Sequence, residues 1–471
     1  MPWQWDRVSV CFTDPRLRNL SLWLCAFIVL CYLCPIYNKV WAAAPLLSQT
    51  SSDMHRYLLK PTAALRGTAA LPASKSICNR ALLLARLAGG GWVVENPSDC
   101  DDTRALVRGL ATTGGTVDVG AAGTAMRFLT VWLCTQPGRH VITGSPRMLE
   151  RPIGILVDAL RRLEARVAYA GREGYPPLCI EGGALRGGAL DVAASVSSQY
   201  ISALLMVAPT LPGGLRLHLT GEVASRPYID MTLALMRRFG ADARWTDERT
   251  IVVAPVPYAA AGRFGVEADW SAASYWYEAM ALTPDAGAKV WLPGLAADSL
   301  QGDAVVSRLF GPLGVATRFG EGGVELTKAQ PAAGRVDIDF TACPDLAQTL
   351  TVTCAMLGRP FRFTGLASLK IKETDRMEAL RRELAKLGVA LTEEGGHTLL
   401  WDGRRGEAAT LPVIHTYDDH RMAMAFAPAA LCIPLAVERP EVVAKSYPGY
   451  WVDYARLLGP VEQAGGEECS R

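Results

Sequence analysis

The chain has 471 residues, enough for two or three domains, with half of them hydrophobic and a fifth charged, the balance of an ordinary globular protein. Its net charge of +2 gives no general attraction to nucleic acid or acidic membranes, so any anion binding has to come from local clustering. Twelve cysteines are scattered without paired metal spacing, and the one CxxC, Cys31 and Cys34, lies in an apolar run; this argues against a disulfide framework or a zinc site and for reduced thiols in a cytosolic protein.

The first feature in chain order is Leu20 to Ile36, 17 almost wholly apolar residues with Arg16 and Arg18 before them and Lys39 behind. That is the short limit for a membrane span, and Ala42-Ala-Ala44 after it also suits a signal peptide. Three readings compete: a membrane anchor, a targeting segment, and a misassigned start ahead of a true beginning at Met54. The last is preferred, because Met54 to Lys60 already reads as a first strand. A transit peptide, amphipathic and rich in Ser and Arg, does not fit the uniformly apolar run.

Pro72 and Ser74 then look like a helix start, with Ser74 as the capping hydroxyl, and Ile77 to Leu87 reads as a helix closed by Gly89-Gly-Gly91. Lys75, Ser76 and Arg80 fall in or beside its first turn, where free N–H groups and the helix dipole favour an anion. Taken alone, an ordinary capped helix with two solvated cations explains this stretch equally well.

Beyond it the chain repeats. Helical runs of small and apolar residues begin with polar clusters at Thr124, Ser198, Ser271, Asp345 and Asp419, in steps of 74, 73, 74 and 74 residues. A second, amphipathic series carries landmarks at Leu163, Phe239, Leu313 and Leu387, spaced by 76, 74 and 74. Two independent landmark sets with one period establish a repeat. Each unit predicts one helix apolar all round, hence buried, one amphipathic helix outside, and several short strands, which places the chain in the α/β or α+β class. Buried helices that aim their polar N-termini at common points would trap anions.

Basic residues recur beside these termini: Arg127, Arg147, Arg151, Arg226, Arg376, Arg421 and Lys445. Any one of them is most simply a solvated or structural cation; together, at one phase of a repeat, they point to an enzyme for a small polyanion. Asp345, Glu373, Asp375 and Asp419 share the phase. A carboxylate held among cations stays ionised and can accept a proton from a hydroxyl, although Asp345 and Asp419 are equally well placed as helix N-caps. His420 is a base or a hydrogen-bonded neighbour of Asp419. No GxxxxGK[ST] loop and no HExxH motif occurs, and Gly182-Gly183 and Gly322-Gly323 read as turns.

The stretches ASKSICNRALLLA, GTAMRFLT, PRMLERPIGILVDAL, SSQYISALLM, SRPYIDMTLALM, KETDRMEAL and YDDHRMAMAFA run in order from about Met54 to about Leu458. They resemble the 5-enolpyruvylshikimate-3-phosphate synthase family. The resemblance implies a two-domain inside-out α/β barrel of six βαβαββ repeats, three per domain, around buried parallel helices, closing over substrate like a clam. With crossings near Ala73 and Ala268, one discontinuous domain comprises residues 54–73 and 268–460 and the other 74–267. Residues 1–53 become an extension outside the fold, and 461–471 a tail.

The implied reaction moves the enolpyruvyl group of phosphoenolpyruvate to the 5-hydroxyl of shikimate 3-phosphate and releases phosphate, with no metal or organic cofactor. By motif, Lys75, Ser76, Arg80, Ser197, Ser198, Gln199, Ser225, Tyr228, Asp345, Ser368 and Lys372 would hold shikimate 3-phosphate. Lys75, Gly123, Arg147, Gln199, Arg376, Arg421 and Lys445 would hold phosphoenolpyruvate. Asp345 would be the base on the 5-hydroxyl, with Glu373 and Lys75 the candidates for moving protons at the methylene carbon and the leaving phosphate. Three departures from the family pattern stand out: Ala121 where Asn is usual, Ser368 where Asn is common, and Phe128 where Pro is frequent. The resemblance further implies a cytoplasmic monomer with small-molecule substrates, no nucleic-acid partner and sensitivity to glyphosate. Two alternatives are the related transferase acting on UDP-N-acetylglucosamine, whose Lys-Asn pair and loop cysteine are not matched here, and a membrane-tethered, non-catalytic binding protein.

Overall fold

The computed structural model describes residues 55–60, 64–183, 185–195 and 197–464. The apolar segment Leu20 to Ile36 and the extension 1–53 lie outside them. Among the described residues no helix is long and apolar enough to cross a membrane.

The 74-residue period appears as a recurring unit. In the clearest copy, strand Gly115–Asp118 leads into helix Gly123–Thr135, which returns the chain to strand Gly138–Thr143, parallel to the first. An outer helix, Gly154–Arg162, follows, and strands Arg166–Tyr169 and Leu178–Gly182 add two antiparallel pairings that complete a mixed four-stranded sheet. The same order recurs with strands Gly188–Ala193, Leu215–Thr220, Ala243–Trp245 and Thr250–Val253 around helix Ser198–Val207. It recurs again with Val336–Asp339, Phe361–Thr364, Thr392–Glu394 and Thr398–Trp401 around Ala347–Met356. Two further four-stranded sheets join strands distant in sequence: Arg66–Thr68 pairs with Lys289–Pro293, and Arg56–Leu59 lies between Leu435–Glu438 and Val461–Ala464. The sixth sheet holds two strands, Gly91–Glu95 and Ala261–Gly265. This is the mixed α/β architecture expected, with sheets outside and helices inside.

Composition dictates which helices go inside. Ala347–Met356 is buried at all ten positions and Trp270–Leu282 at twelve of thirteen. A helix with no polar face has no orientation that leaves it half in water, so it must be surrounded. Arg226–Arg238 and Arg376–Lys386 bury one stripe and lie outside. The buried side chains form two apolar clusters, one from Leu59 to Ala69 and Ala268 to Leu458, the other from Ala73 to Val266. The chain passes between them where Ala73 and Ala268 form an isolated antiparallel bridge, flanked by Ser74 N–H to Glu267 O at 2.8 Å and Asp269 N–H to Pro72 O at 2.9 Å.

Three local expectations need correction. Ser74 occupies the N-cap position of helix Lys75–Leu87 with the extended backbone of a cap, but its hydroxyl makes no capping bond and is buried without a hydrogen-bond partner among the described residues. Asp345 is no cap either; it sits in the single turn Pro344–Leu346 that precedes helix Ala347–Met356, and its carboxylate faces cations instead. Residues 461–464 are not tail: Glu462 and its neighbours add an edge strand to Arg56–Leu59. Asp419, by contrast, does cap its helix, accepting from the Arg421 N–H at 2.9 Å.

Candidate active site

The buried helices share one consequence of their repeat: their N-terminal turns open onto a common cleft. Helices Lys75–Leu87, Gly123–Thr135 and Ser198–Val207 present Lys75, Ser76, Gly123, Thr124, Ser198 and Gln199 from one half. The turn at Pro344-Asp345 and helix His420–Phe426 present Asp345, His420 and Arg421 from the other. The cleft encloses about 1030 Å³ of space between atoms, the open solvent at its mouth included.

Seven cations line it, Lys75, Arg80, Arg127, Arg151, Lys372, Arg376 and Arg421, against three carboxylates, Asp102, Asp345 and Glu373. Such an excess, mostly desolvated, is stable only if anions complete it. Among the described residues Arg80 and Arg127 have no carboxylate partner. Arg80 donates to Thr232 Oγ1 at 2.7 Å, Ser202 Oγ at 3.2 Å and Ser76 O at 2.8 Å. Arg127 donates to Gly123 O at 3.2 Å and Pro152 O at 3.3 Å. Burial lowers the pKa of each to about 10.

Asp345 is the point where the two halves meet. Its Oδ2 accepts from Arg421 Nη2 at 2.9 Å and from the Tyr228 hydroxyl of the other half at 3.3 Å. Its Oδ1 accepts from Arg376 Nη1 at 3.1 Å, with Lys372 Nζ 3.8 Å away. Burial alone would raise its pKa, but Arg421, Lys372 and Arg376 outweigh it and hold the carboxyl ionised, well below the usual range. Glu373 is held likewise: burial opposes its charge, and Lys445 at 3.0 Å, Arg376 at 2.9 Å and Arg151 at 3.9 Å prevail. Lys75 shows the converse: burial disfavours the ammonium, yet Asp102 at 3.0 Å keeps it protonated above its ordinary range. His420, buried among Lys75, Arg421 and Lys445, is neutral, its pKa driven far down first by burial. Asp303, behind Asp345, is pushed up to about 7 by burial and then by the Asp345 charge; one of its oxygens accepts from Ser271 Oγ and the other has no partner.

The family model described as EPSP synthase (3-phosphoshikimate 1-carboxyvinyltransferase) matches residues 59–118 and 111–453. The chain belongs to the EPSP synthase family. A Bacteroides fragilis 3-phosphoshikimate 1-carboxyvinyltransferase is 54% identical over 399 residues, spanning 84% of this chain and 97% of that protein. The protein of the same name from Bordetella pertussis is 39% identical, spanning 85% and 98%. Among solved structures, the EPSP synthase from Acinetobacter baumannii aligns with a TM-score of 0.66 at 21% identity, covering 87% of this chain and all of that one. The enolpyruvyl transferase NikO from Streptomyces tendae aligns at 0.67 and 15%, covering 88% and 99%; at such identities these two speak for the fold alone.

In this EPSP synthase family member, most of the residues singled out from sequence line the one cleft: Lys75, Ser76, Arg80, Gly123, Ser197, Ser198, Gln199, Ser225, Tyr228, Asp345, Ser368, Lys372, Glu373, Arg376 and Arg421. Two do not. Lys445 stands directly behind the lining, donating to Ala121 O at 2.7 Å as well as pairing with Glu373. The departure at Ala121 therefore leaves this contact intact, since any residue supplies the carbonyl. Arg147 is outside the cleft, half exposed, with all three guanidinium nitrogens engaged elsewhere; the arginine that lines the cleft from this segment is Arg151, one helical turn on. The sequence offers both, four residues apart in PRMLERP; Arg147 lies in the short helix Pro146–Leu149, whereas Arg151 follows its end, where the chain bends. Asp102, the partner of Lys75, was missed outright, because the acidic run Asp99 to Asp102 has no feature marking one member as buried. Phe128, where Pro is frequent, is buried with the Arg80 guanidinium 5.4 Å from its ring centroid, and its helix still begins at Gly123.

Proposed function

We propose that this chain transfers the enolpyruvyl group of phosphoenolpyruvate to the 5-hydroxyl of shikimate 3-phosphate, with Asp345 as the base at the junction of the two halves. The observation that carries the assignment of roles is the carboxylate itself: ionised, buried, and held by Arg376 and Arg421 on one side and Tyr228 on the other. Asp345 takes the proton as the 5-hydroxyl oxygen attacks C2 of phosphoenolpyruvate, while a proton is added at the C3 methylene. Loss of phosphate from C2 and of a proton from C3 then restores the double bond as an enol ether. Glu373 and Lys75 face each other across the same space and serve those C3 and phosphate protons; Lys75 is the protonated member and Glu373 the ionised one.

Shikimate 3-phosphate is assigned to Ser76, Arg80, Ser197, Ser198, Gln199, Ser225, Tyr228, Ser368 and Lys372, and phosphoenolpyruvate to Lys75, Gly123, Gln199, Arg151, Arg376, Arg421 and Lys445. Each substrate carries a phosphate and a carboxylate, which answers the cation excess of the cleft. The segments 55–73 with 268–464 and 74–267 act as two domains joined at the Ala73–Ala268 crossing. The protein works as a monomer in the cytoplasm, without nucleic acid. Phosphate release from phosphoenolpyruvate, measured with shikimate 3-phosphate or with UDP-N-acetylglucosamine as acceptor, tests the reading. Release with the first acceptor alone is expected, and no release with it would overturn the proposal.

A further inference from the structure

We infer that Arg147 is a positioning residue which, from the opposite half of the molecule, clamps the main chain carrying Lys372 and Glu373. Its Nε donates to the Glu373 carbonyl at 3.1 Å and its Nη2 to the Lys372 carbonyl at 3.2 Å, while Nη1 is braced by Glu150 Oε2 at 3.1 Å. Each of the three guanidinium nitrogens thus has a partner outside the cleft.

The grip falls where the main chain needs it. Lys372 to Thr374 lie between the turn Ala367–Ile371 and helix Arg376–Lys386, in neither helix nor strand, so no ladder of hydrogen bonds fixes them. The side chains of the same two residues face the cleft, Lys372 toward Asp345 at 3.8 Å and Glu373 onto Lys445 and Arg376. One end of each residue is therefore held by the other half and the other end faces the reacting groups. The two carbonyl bonds join the halves, so any motion that parts the halves breaks them, and the peptide is set in place only when the halves are together. A planar fork spanning two successive carbonyls does this; a lysine, a point donor on a flexible stem, reaches one at a time.

The inference rests on the proposed transferase reaction, and its test separates the two. Phosphate release by the unaltered protein checks the reaction; Arg147→Met and Arg147→Lys then check the clamp, with Arg151→Met for comparison. Hydrogen bonds from a charged donor at a half-exposed site predict a fall in kcat of about 10-fold for Arg147→Met, with KM for phosphoenolpyruvate within about threefold. Arg147→Lys should be intermediate, and Arg151→Met should act chiefly on KM. The melting temperature of Arg147→Met should stay within about 2 °C of the unaltered protein, since one exposed ion pair is lost. The inference is overturned by an unchanged kcat, by a loss confined to KM for phosphoenolpyruvate, by full activity in Arg147→Lys, or by a loss explained wholly by unfolding. If the unaltered protein releases no phosphate, the transferase reading fails instead.

Discussion

Replacing Asp345 by Asn separates two jobs that the structure gives one carboxylate. As base, it accepts a proton; as counter-ion, it compensates Arg376, Arg421 and Lys372 in a cleft that already holds more cations than anions. Asn keeps the shape and removes both. Loss of a positioned base costs about 10²–10⁴-fold in turnover. Breaking a buried ion pair by removing one partner costs about 3–5 kcal/mol, and since the carboxylate retains 19% exposure the lower figure applies. With an unfolding entropy of about 2 cal/mol/K per residue over a chain of this size, about 3 kcal/mol lowers the melting temperature by roughly 3–4 °C. The pH dependence has the same sign: a carboxyl whose folded pKa lies below its unfolded value stabilises above about pH 4 and loses that contribution as pH falls through the folded value. The assays are single-turnover phosphate release and thermal melting with and without inorganic phosphate. Phosphate should recover part of the lost stability in the Asn variant, because it supplies the missing negative charge. Near wild-type turnover would remove Asp345 from the chemistry, and a melting temperature at or above wild type would refute the counter-ion argument.

Three further outcomes are expected. A methyl group on Gly123 would lie 2.7 Å from Arg151 Nη1, forcing that guanidinium aside, so Gly123→Ala should raise KM for phosphoenolpyruvate a few-fold and the glyphosate inhibition constant by more; equal changes in the two would show that the methyl group does not discriminate. Asp303, with a folded pKa of about 7, binds its proton more tightly folded than unfolded, so it costs stability progressively from about pH 4 to about pH 7; the melting temperature of Asp303→Asn relative to wild type should climb across that window and level off above it, and a constant difference would refute the assignment. A protein beginning at Met54 should keep full turnover in the phosphate-release assay, because strand Arg56–Leu59 is the first element of the sheet and the Bacteroides fragilis relative is spanned over 97% of its length by 84% of this chain.

The fold was legible because its repeat is written in a currency that burial enforces. A helix such as TLTVTCAM offers no polar face, so its interior position follows from composition, and five such helices at one spacing announce the architecture before any contact is known. The sheets were less legible. Strands of three to six residues carry little alternation, and the pairings of Arg66–Thr68 with Lys289–Pro293 and of Arg56–Leu59 with Val461–Ala464 join residues hundreds of positions apart. Nothing local in Val461-Glu-Gln-Ala464 separates an edge strand from a tail; the partner decides it.

The site divides along the same line. Residues whose role depends on phase within the repeat, among them Lys75, Arg376 and Arg421, could be placed from sequence because the helix N-terminus delivers them to the cleft wherever it lies. Residues whose role depends on direction within a turn could not. Arg147 and Arg151 share a charge and a motif, but Arg147 lies in helix Pro146–Leu149 and Arg151 in the bend after it, and that break in the helix sends one onto the opposite half and the other inward. Ser74 and Asp345 fail for a related reason. Ser74 has the same extended N-cap backbone as the capping residues Ser197, Asp375 and Asp419, and the direction of its side chain, which local sequence does not specify, leaves its hydroxyl unbonded. At Asp345 the two arginines and the lysine offer the carboxylate a stronger partner than any N–H. Asp419 meets Arg376 at 2.7 Å and still caps its helix, so charge alone does not displace a cap; Asp345 lies in the turn ahead of its helix, and its carboxylate is left to the cations and to a substrate proton.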